Sequence, residues 1–259
     1  MTHEVPLARR DIIADRLVNG QPVASVQLAK EFNVSEDAIR RDLRALASAG
    51  MCRRVYGGAL PINPDSLAMS VRKGLGSDQK VRLARKAAST IEPREFLFLD
   101  NGSTNLALVP FIPIGYELTV ATNSIEVAAA LRDRLDLQLF LLGGVVDPVI
   151  GGCVSAVAVE SVSQLNIDRC FLGACSVSGT LGVSANEVTD ATFKRALLKA
   201  SHHRIVMATS DKLGGRAPHR VANLADISLV VLENDASRPE IEVLQRAGVP
   251  LLFVDHPGA

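Results

Sequence analysis

Residues 34–59 read VSEDAIRRDLRALASAGMCRRVYGGA. Ser35 is a good N-cap, its hydroxyl placed to accept from the first turn of a helix over EDAIRRDLRALASA, and acidic Glu36 and Asp37 favour that helix's positive end. Gly50 closes it, and residues 51–60 read as two short strands about a Gly57-Gly58 turn, two glycines able to take positive φ. Arginines crowd this stretch: Arg40, Arg41 and Arg44 on the helix, Arg53 and Arg54 at the base of the hairpin.

Upstream, Leu7, Ile12, Ile13 and Leu17 fall on one helical stripe that stops at Asn19-Gly20. Pro22-Val23 reads as an extended link. Ser25 is then the expected N-cap of a second helix, VQLAKEF, with Val26, Leu28, Ala29 and Phe32 inward. Asn33-Val34 makes the turn into the third helix. Three short helices and a hairpin make a winged helix-turn-helix, whose third helix has the shape to enter a major groove of double-stranded DNA. The expected DNA-reading residues are Ser35, Arg40, Arg41, Arg44, Arg53, Arg54, Gly57 and Gly58. A generic three-helix bundle is the competing reading, but a merely solvated surface gives no reason for arginines on both the third helix and the hairpin.

The whole chain is 259 residues with no net charge, 28 basic against 28 acidic. Any nucleic-acid surface must therefore be local. Residues 1–60 carry a net charge of +2 and form the first expected domain. Residues 61–78, with Pro61, Pro64, Gly74 and Gly76, read as a linker with little core of its own.

Residues 79–259 form the second expected domain. Helices over 79–90, 125–134, 155–164, 187–201 and 238–247 alternate with apolar strands at 96–99, 118–121, 137–142, 168–173, 204–208, 227–232 and 251–254. That alternation predicts a Rossmann-like α/β fold, a mostly parallel sheet covered on both faces. Ligands bind outside the carboxyl ends of such strands, and polar loops fall there. They are Asp100–Asn105, Thr122–Ser124, Gly143-Gly144, Gly173–Ser176 and Ser210–Gly214. Gly102 lets backbone approach a ligand, and Ser103 and Thr104 offer hydroxyls and N–H groups at a helix start, suited to a phosphate. Lys194 and Lys212 supply balancing charge. One such loop alone is usually a turn and a cap; several on one edge point to a pocket.

Other chemistry finds no footing in the sequence. No G-x-x-x-x-G-K-[ST] and no G-x-G-x-x-G after a strand is present, so no nucleotide cofactor is expected. Cys52, Cys153, Cys170 and Cys175 form no C-x-x-C pair, and no histidine stands at zinc-ligand spacing from them, so no metal is expected. No apolar stretch approaches the length of a membrane span, and the N-terminus lacks the apolar core of a signal peptide. A cytoplasmic protein is the expectation.

With these runs in view, the sequence resembles the DeoR family of bacterial sugar-metabolism regulators over nearly its full length. The resemblance rests on VSEDAIRRDL at 34–43, Leu46, Gly50, Arg53 and YGGA at 56–59. In the second domain it rests on DNGST at 100–104, TNS at 122–124, LGG at 142–144, FLGA at 171–174, Lys194-Arg195 and KLG at 212–214. It implies a second domain similar to ribose-5-phosphate isomerase and CoA-transferase folds, and a phosphorylated sugar or related metabolite as effector. It further implies a pocket lined by Asp100, Gly102, Ser103, Thr104 and Lys212, with Thr122, Asn123, Gly143 and Lys194 as neighbours. The chain departs from the family pattern at Thr209, at Asp190 and at Asp37-Ala38. The expected function is a repressor of a carbohydrate-catabolic operon, acting as a homo-oligomer, dimer or tetramer, with no catalytic residues. The alternative is a sugar-phosphate isomerase-like enzyme with a regulatory N-terminal domain.

Overall fold

The computed structural model describes residues 6–18, 20–61, 67 and 69–254. The chain divides into two compact units, Met1–Leu75 and Gly76–Ala259.

The first unit runs α1 (Pro6–Val18), β1 (Val23–Ala24), α2 (Ser25–Glu31), α3 (Glu36–Ser48), β2 (Cys52–Val55), β3 (Gly58–Pro61) and α4 (Met69–Arg72). Ile13, Leu17, Leu28, Ile39, Leu43 and Leu46 form its core, closed by Cys52 and Ala59 beneath the hairpin. Ile12 and Val26, expected inside, are exposed; the side chain of Leu7 lies outside the described residues. Asn33 makes the tight turn at φ 50°, a conformation that a short amide side chain tolerates. Ser35 caps α3, accepting from the Ala38 amide at 3.3 Å. Ser25 does not cap α2: Ala24 holds that position, and Ser25 is the first, buried, helical residue. Asp42, buried on α3, is held by Arg9 at 2.7 Å and Arg10 at 3.4 Å, which ties α1 to α3.

The wing departs from expectation at its turn. Val55 pairs with Gly58, so the two-residue turn is Tyr56-Gly57, and only Gly57 has positive φ, 82°. Gly58 is needed for another reason. It lies in β3 beside β1, which the sequence presented only as a link, and a Cβ there would sit 2.0 Å from the Val23 carbonyl oxygen. The segment expected as linker also has structure of its own. Pro61 completes β3, Leu67 and Met69 are buried, and residues 62–66 and 68 lie outside the described residues.

The second unit begins with α5 (Ser77–Ala88), β4 (Phe96–Leu99), α6 (Ser103–Leu108), β5 (Thr119–Thr122), α7 (Ile125–Leu131) and β6 (Gln138–Leu141). A two-strand ribbon, β7 (Val146–Asp147) and β8 (Gly152–Cys153), precedes α8 (Ala156–Ser163), β9 (Ile167–Leu172), β10 (Ser176–Ser178) and β11 (Gly182–Ala185). Then come α9 (Val188–Lys199), β12 (Ser201–Ala208), β13 (His219–Ala222), β14 (Leu229–Leu232), α10 (Arg238–Arg246) and β15 (Leu251–Phe253).

Seven strands form the main sheet in the order β15-β14-β12-β9-β4-β5-β6, every neighbouring pair parallel. Alternate residues enter two separate cores. Phe98, Cys170, Leu172, Val206 and Val230 pack into one, and Leu97, Leu99, Phe171, Ile205 and Val231 into the other. That is why these strands read as unbroken apolar runs. The chain starts mid-sheet at β4, moves outward to β6, then returns to β9 on the other side of β4. The order therefore reverses between β4 and β9, the place at the carboxyl ends of an open sheet where ligands generally bind. A small antiparallel sheet, β10-β11-β13, was not foreseen, because its strands of three and four residues are too short to carry a periodic signal.

The tight seat of Gly58 makes the first prediction. Gly58→Ala destabilises the first unit by about 2 kcal/mol or more, since the clash is with backbone. Amide exchange measured by mass spectrometry should quicken over α1–β3 and stay unchanged in β4, β5 and β9. Unaltered exchange across the hairpin would refute the close-approach account.

Candidate functional site

On the first unit, the arginines divide by their surroundings. Arg40 is held at the surface by its own helix, 3.1 Å from Glu36 and 3.2 Å from Asp37. Arg41, Arg44, Arg53 and Arg54 are exposed and have no carboxylate partner among the described residues. The carboxylate nearest in sequence to Arg41, Asp42, faces inward and is consumed by Arg9 and Arg10. Tyr56 stands fully exposed at the tip of the hairpin.

In the second unit the carboxyl ends of β4 and β9 meet in a buried polar cluster. The Lys194 ammonium lies 2.9 Å from Asp100 and 2.5 Å from Asp190, all three side chains nearly or wholly out of solvent. Asp190 and Lys194 are four apart on α9 and so share a face. Asp100 ends β4. Its Oδ1 accepts from the Asn101 amide at 2.8 Å and from Asn101 Nδ2 at 3.0 Å; its Oδ2 accepts from the Gly173 amide at 2.9 Å and from Lys194. Both carboxylate oxygens are thus fully engaged. A side chain at 173 would lie 2.5 Å from the Asn101 carbonyl oxygen, so the contact with Asp100 requires glycine. Burial pushes the Asp100 carboxyl up to about 6; Lys194 pulls against that rise and Asp190 adds to it. Burial also works against the Lys194 charge, but the two carboxylates outweigh it and hold the ammonium above its usual value.

Asparagines extend the network. Asn101 Nδ2 reaches Asp190 at 3.1 Å, and its amide donates to Asn123 Oδ1 at 3.1 Å. Asn105 Nδ2 bridges the carbonyls of Asp100 and Phe171, at 2.9 and 2.8 Å, and so clamps β4 to β9. Thr122 donates to Leu99 O at 2.6 Å and accepts from the Ser124 amide. Lys212 reaches over from the loop after β12, its ammonium 2.8 Å from Ala174 O in the loop after β9.

The predicted pocket residues therefore separate. Asp100, Thr104, Thr122, Asn123 and Lys194 are buried, and Gly102, Ser103, Gly143 and Lys212 are reachable from solvent. Lys194, expected to supply balancing charge to a ligand, is locked between carboxylates, and Asp100 has no acceptor site left for a ligand. Reading the sequence left Asn101 and Asn105 out of the site and passed over Glu233. Glu233 is buried directly after β14 and accepts from the Ser210 amide at 3.0 Å. The available signal was a lone carboxylate closing the apolar run LVVL. Burial raises the thiols of Cys52, Cys153 and Cys170, the last to about 12, which leaves them no thiolate character near neutral pH.

A helix-turn-helix joined to a sensor-type α/β domain defines a DNA-binding transcriptional regulator, of the class that represses sugar-metabolism genes. The chain belongs to the DeoR family: residues 9–65 match the DeoR-like helix-turn-helix domain and residues 76–234 the DeoR C terminal sensor domain. It is similar to the uncharacterized HTH-type transcriptional regulator FruR of Bacillus subtilis (strain 168), 29% identical over 230 residues, 87% of this chain and 90% of the relative. The glycerol-3-phosphate regulon repressor of Escherichia coli (strain K12) is 29% identical over 224 residues, 86% of this chain and 88% of its own. Among solved structures, the probable sor operon regulator from Shigella flexneri aligns with a TM-score of 0.36 at 15% identity, over 53% of this chain and 76% of that one. Ribose 5-phosphate isomerase A from Neisseria gonorrhoeae aligns with a TM-score of 0.37 at 18% identity, over 52% of each chain. Among the described residues, no helix is long and apolar enough to cross a membrane.

The displaced Asp100 carboxyl predicts a pH dependence. Its folded value, about 6, lies above the ordinary 3.8, so folding favours its protonated form. The stabilising contribution is complete below the ordinary value and is lost as pH rises through about 6. Asp100→Asn, neutral throughout, should lack this decline. Melting temperatures of the two proteins, followed from pH 4 to pH 7, should diverge in slope over that window. Parallel profiles would show that Asp100 is not held above its usual range.

Proposed function

We propose that this chain is a repressor of carbohydrate-catabolic genes whose grip on double-stranded DNA is relieved by a phosphorylated sugar or related metabolite. The observation that carries the effector reading is the convergence, at the reversal of strand order, of a saturated Asp100–Lys194–Asp190 core with the accessible groups of Gly102, Ser103, Gly143 and Lys212. The buried core carries more carboxylate than cation and does not itself attract an anion. The phosphate belongs instead by Gly102, Ser103 and Lys212, where backbone N–H groups, a hydroxyl and an ammonium meet it. Asp100, Thr122, Asn123 and Lys194 act from beneath by fixing the loops. The name of one similar protein, the glycerol-3-phosphate regulon repressor, supports this class of ligand.

Binding without turnover is part of the proposal. Isomerisation of a sugar phosphate needs a carboxylate base at the migrating proton, and both oxygens of Asp100 are occupied. Assay of the purified protein for turnover of common sugar phosphates separates a sensor from an isomerase. A homo-oligomer is also proposed, because two-fold operators reward a two-fold protein by doubling its contacts.

For DNA reading, α3 lies in the major groove with Ser35 and its first turn nearest the bases, and the wing, with Arg53, Arg54 and the Gly57-Gly58 hairpin, lies along the backbone. Arg41 and Arg44 contribute more than Arg40, which must first leave Glu36 and Asp37. On an operator selected in vitro, Arg41→Ala or Arg44→Ala should lose about 1–3 kcal/mol of discrimination for a base contact. For a phosphate contact, either should lower the salt slope by about one unit. Fluorescence anisotropy on operator and random DNA reads both, and unchanged binding by both variants would sink the assignment.

For effector binding, calorimetry with glycerol 3-phosphate, fructose 1-phosphate, fructose 6-phosphate, glucose 6-phosphate and glucosamine 6-phosphate should find a binder among them. Lys212→Ala and Ser103→Ala should weaken it at least about tenfold, the loss of one charge-assisted hydrogen bond, and leave DNA affinity in its absence nearly intact. A probe that binds both variants as tightly as wild type places the pocket elsewhere.

A further inference from the structure

Glu233 joins two parts of the second unit that the sequence holds far apart. One oxygen accepts from Arg82 on α5 at 3.2 Å, a contact across 151 residues. The other accepts from the Ser210 amide at 3.0 Å and the Ser210 hydroxyl at 3.1 Å. Its side chain is 2% exposed, against 37% for that of Arg82.

Ser210 opens the single turn that ends at Lys212. That turn is closed by the Lys212 amide on Thr209 O at 2.9 Å. The Lys212 loop is thus seated on Glu233 at its start and on Ala174 at its end. α5 begins at Ser77, immediately after the boundary between the two units at Leu75/Gly76, and Gly76 stands at its N-cap at φ 57°. Of the four residues α5 buries, three are alanines, Ala84, Ala87 and Ala88. So smooth a face opposes a small slide less than a row of large side chains would.

We propose that Glu233 and Arg82 are positioning residues that make the Lys212 loop and α5 move as one body. A ligand that displaces the loop then displaces the helix joined directly to the DNA-binding unit. The physical reason is that a buried carboxylate cannot release its one cation cheaply. When the Ser210 turn shifts, Glu233 follows its two hydrogen bonds and draws Arg82 with it. The role of the loop in effector binding rests on the function proposed above; the mechanical link between loop and helix does not.

The test uses the full chain and no ligand, so it stands even if no phosphorylated probe binds. Lys212→Ala loosens the loop at its far end. Amide exchange is compared in wild type, Lys212→Ala, Arg82→Gln and the double variant, with Arg82→Lys as the conservative control. Arg82 is partly exposed, so its variants should fold. Lys212→Ala should speed exchange in the α5 peptide about fivefold, the scale of one hydrogen bond. It should add nothing in the Arg82→Gln background and act again beside Arg82→Lys. Equal effects of Lys212→Ala on α5 in the wild-type and Arg82→Gln backgrounds, or no effect in either, would overturn the proposal.

Discussion

Burying an ammonium ion is costly unless counter-charges and hydrogen bonds replace its water, and the second unit meets that condition at one place, where its strand order reverses. Lys194 receives two carboxylates, one from its own helix and one from the end of β4. The carboxylates outnumber the cation, and the excess is absorbed by main-chain and side-chain N–H groups. Gly173 donates from the end of β9, and Asn101 donates twice to Asp100 and once to Asp190. No member can move without leaving a buried charge unmatched. The loops after β4 and β9 and the first half of α9 are therefore fixed relative to one another, as is the loop after β5, which reaches the cluster through Asn123.

This cluster divides the sheet edge into two layers. The lower layer is buried and internally satisfied, so in the proposed site it supports the ligand from beneath. The upper layer holds glycines, a serine and one lysine, groups that present backbone or a partly exposed charge to solvent. The proposed recognition of a small anion would gain from this arrangement, because the supporting groups need no reorganisation when a ligand arrives.

The central strands were legible in the sequence because both faces of the sheet are buried there, so FLFL at 96–99 and LVVL at 229–232 appear as plain apolar runs. α3 was legible because its cap, its arginines and its apolar stripe are all local. What escaped depends on distant partners. The i,i+4 spacing of Asp190 and Lys194 announces a possible pair, but nothing near them announces Asp100, 90 or more residues away, and so Lys194 reads as balancing charge for a ligand. Glu233 and Arg82 are separated by 151 residues and share no motif. Gly58 read as half of a turn because Gly-Gly pairs usually are; its real constraint is the two-residue strand β1, too short to be seen.

A chain with no net charge reaches DNA only if its acidic residues are kept from opposing its basic ones. The first unit achieves this by internal pairing. Between Glu31 and Asp42 every carboxylate has an arginine partner: Glu31 takes Arg16, Glu36 and Asp37 take Arg40, and buried Asp42 takes Arg9 and Arg10. Among the described residues, the exposed cations left without a carboxylate partner are Arg41, Arg44, Arg53 and Arg54 on α3 and the wing, with Lys30 on α2. Counterion release depends on cations free to meet phosphates and not on the chain's total charge. Arg40 differs from its neighbours in this respect, since its two carboxylates stand in for the phosphate it would otherwise contact. In the proposed reading, the same pairing that stiffens α3 therefore also selects which of its arginines are free to read or hold DNA.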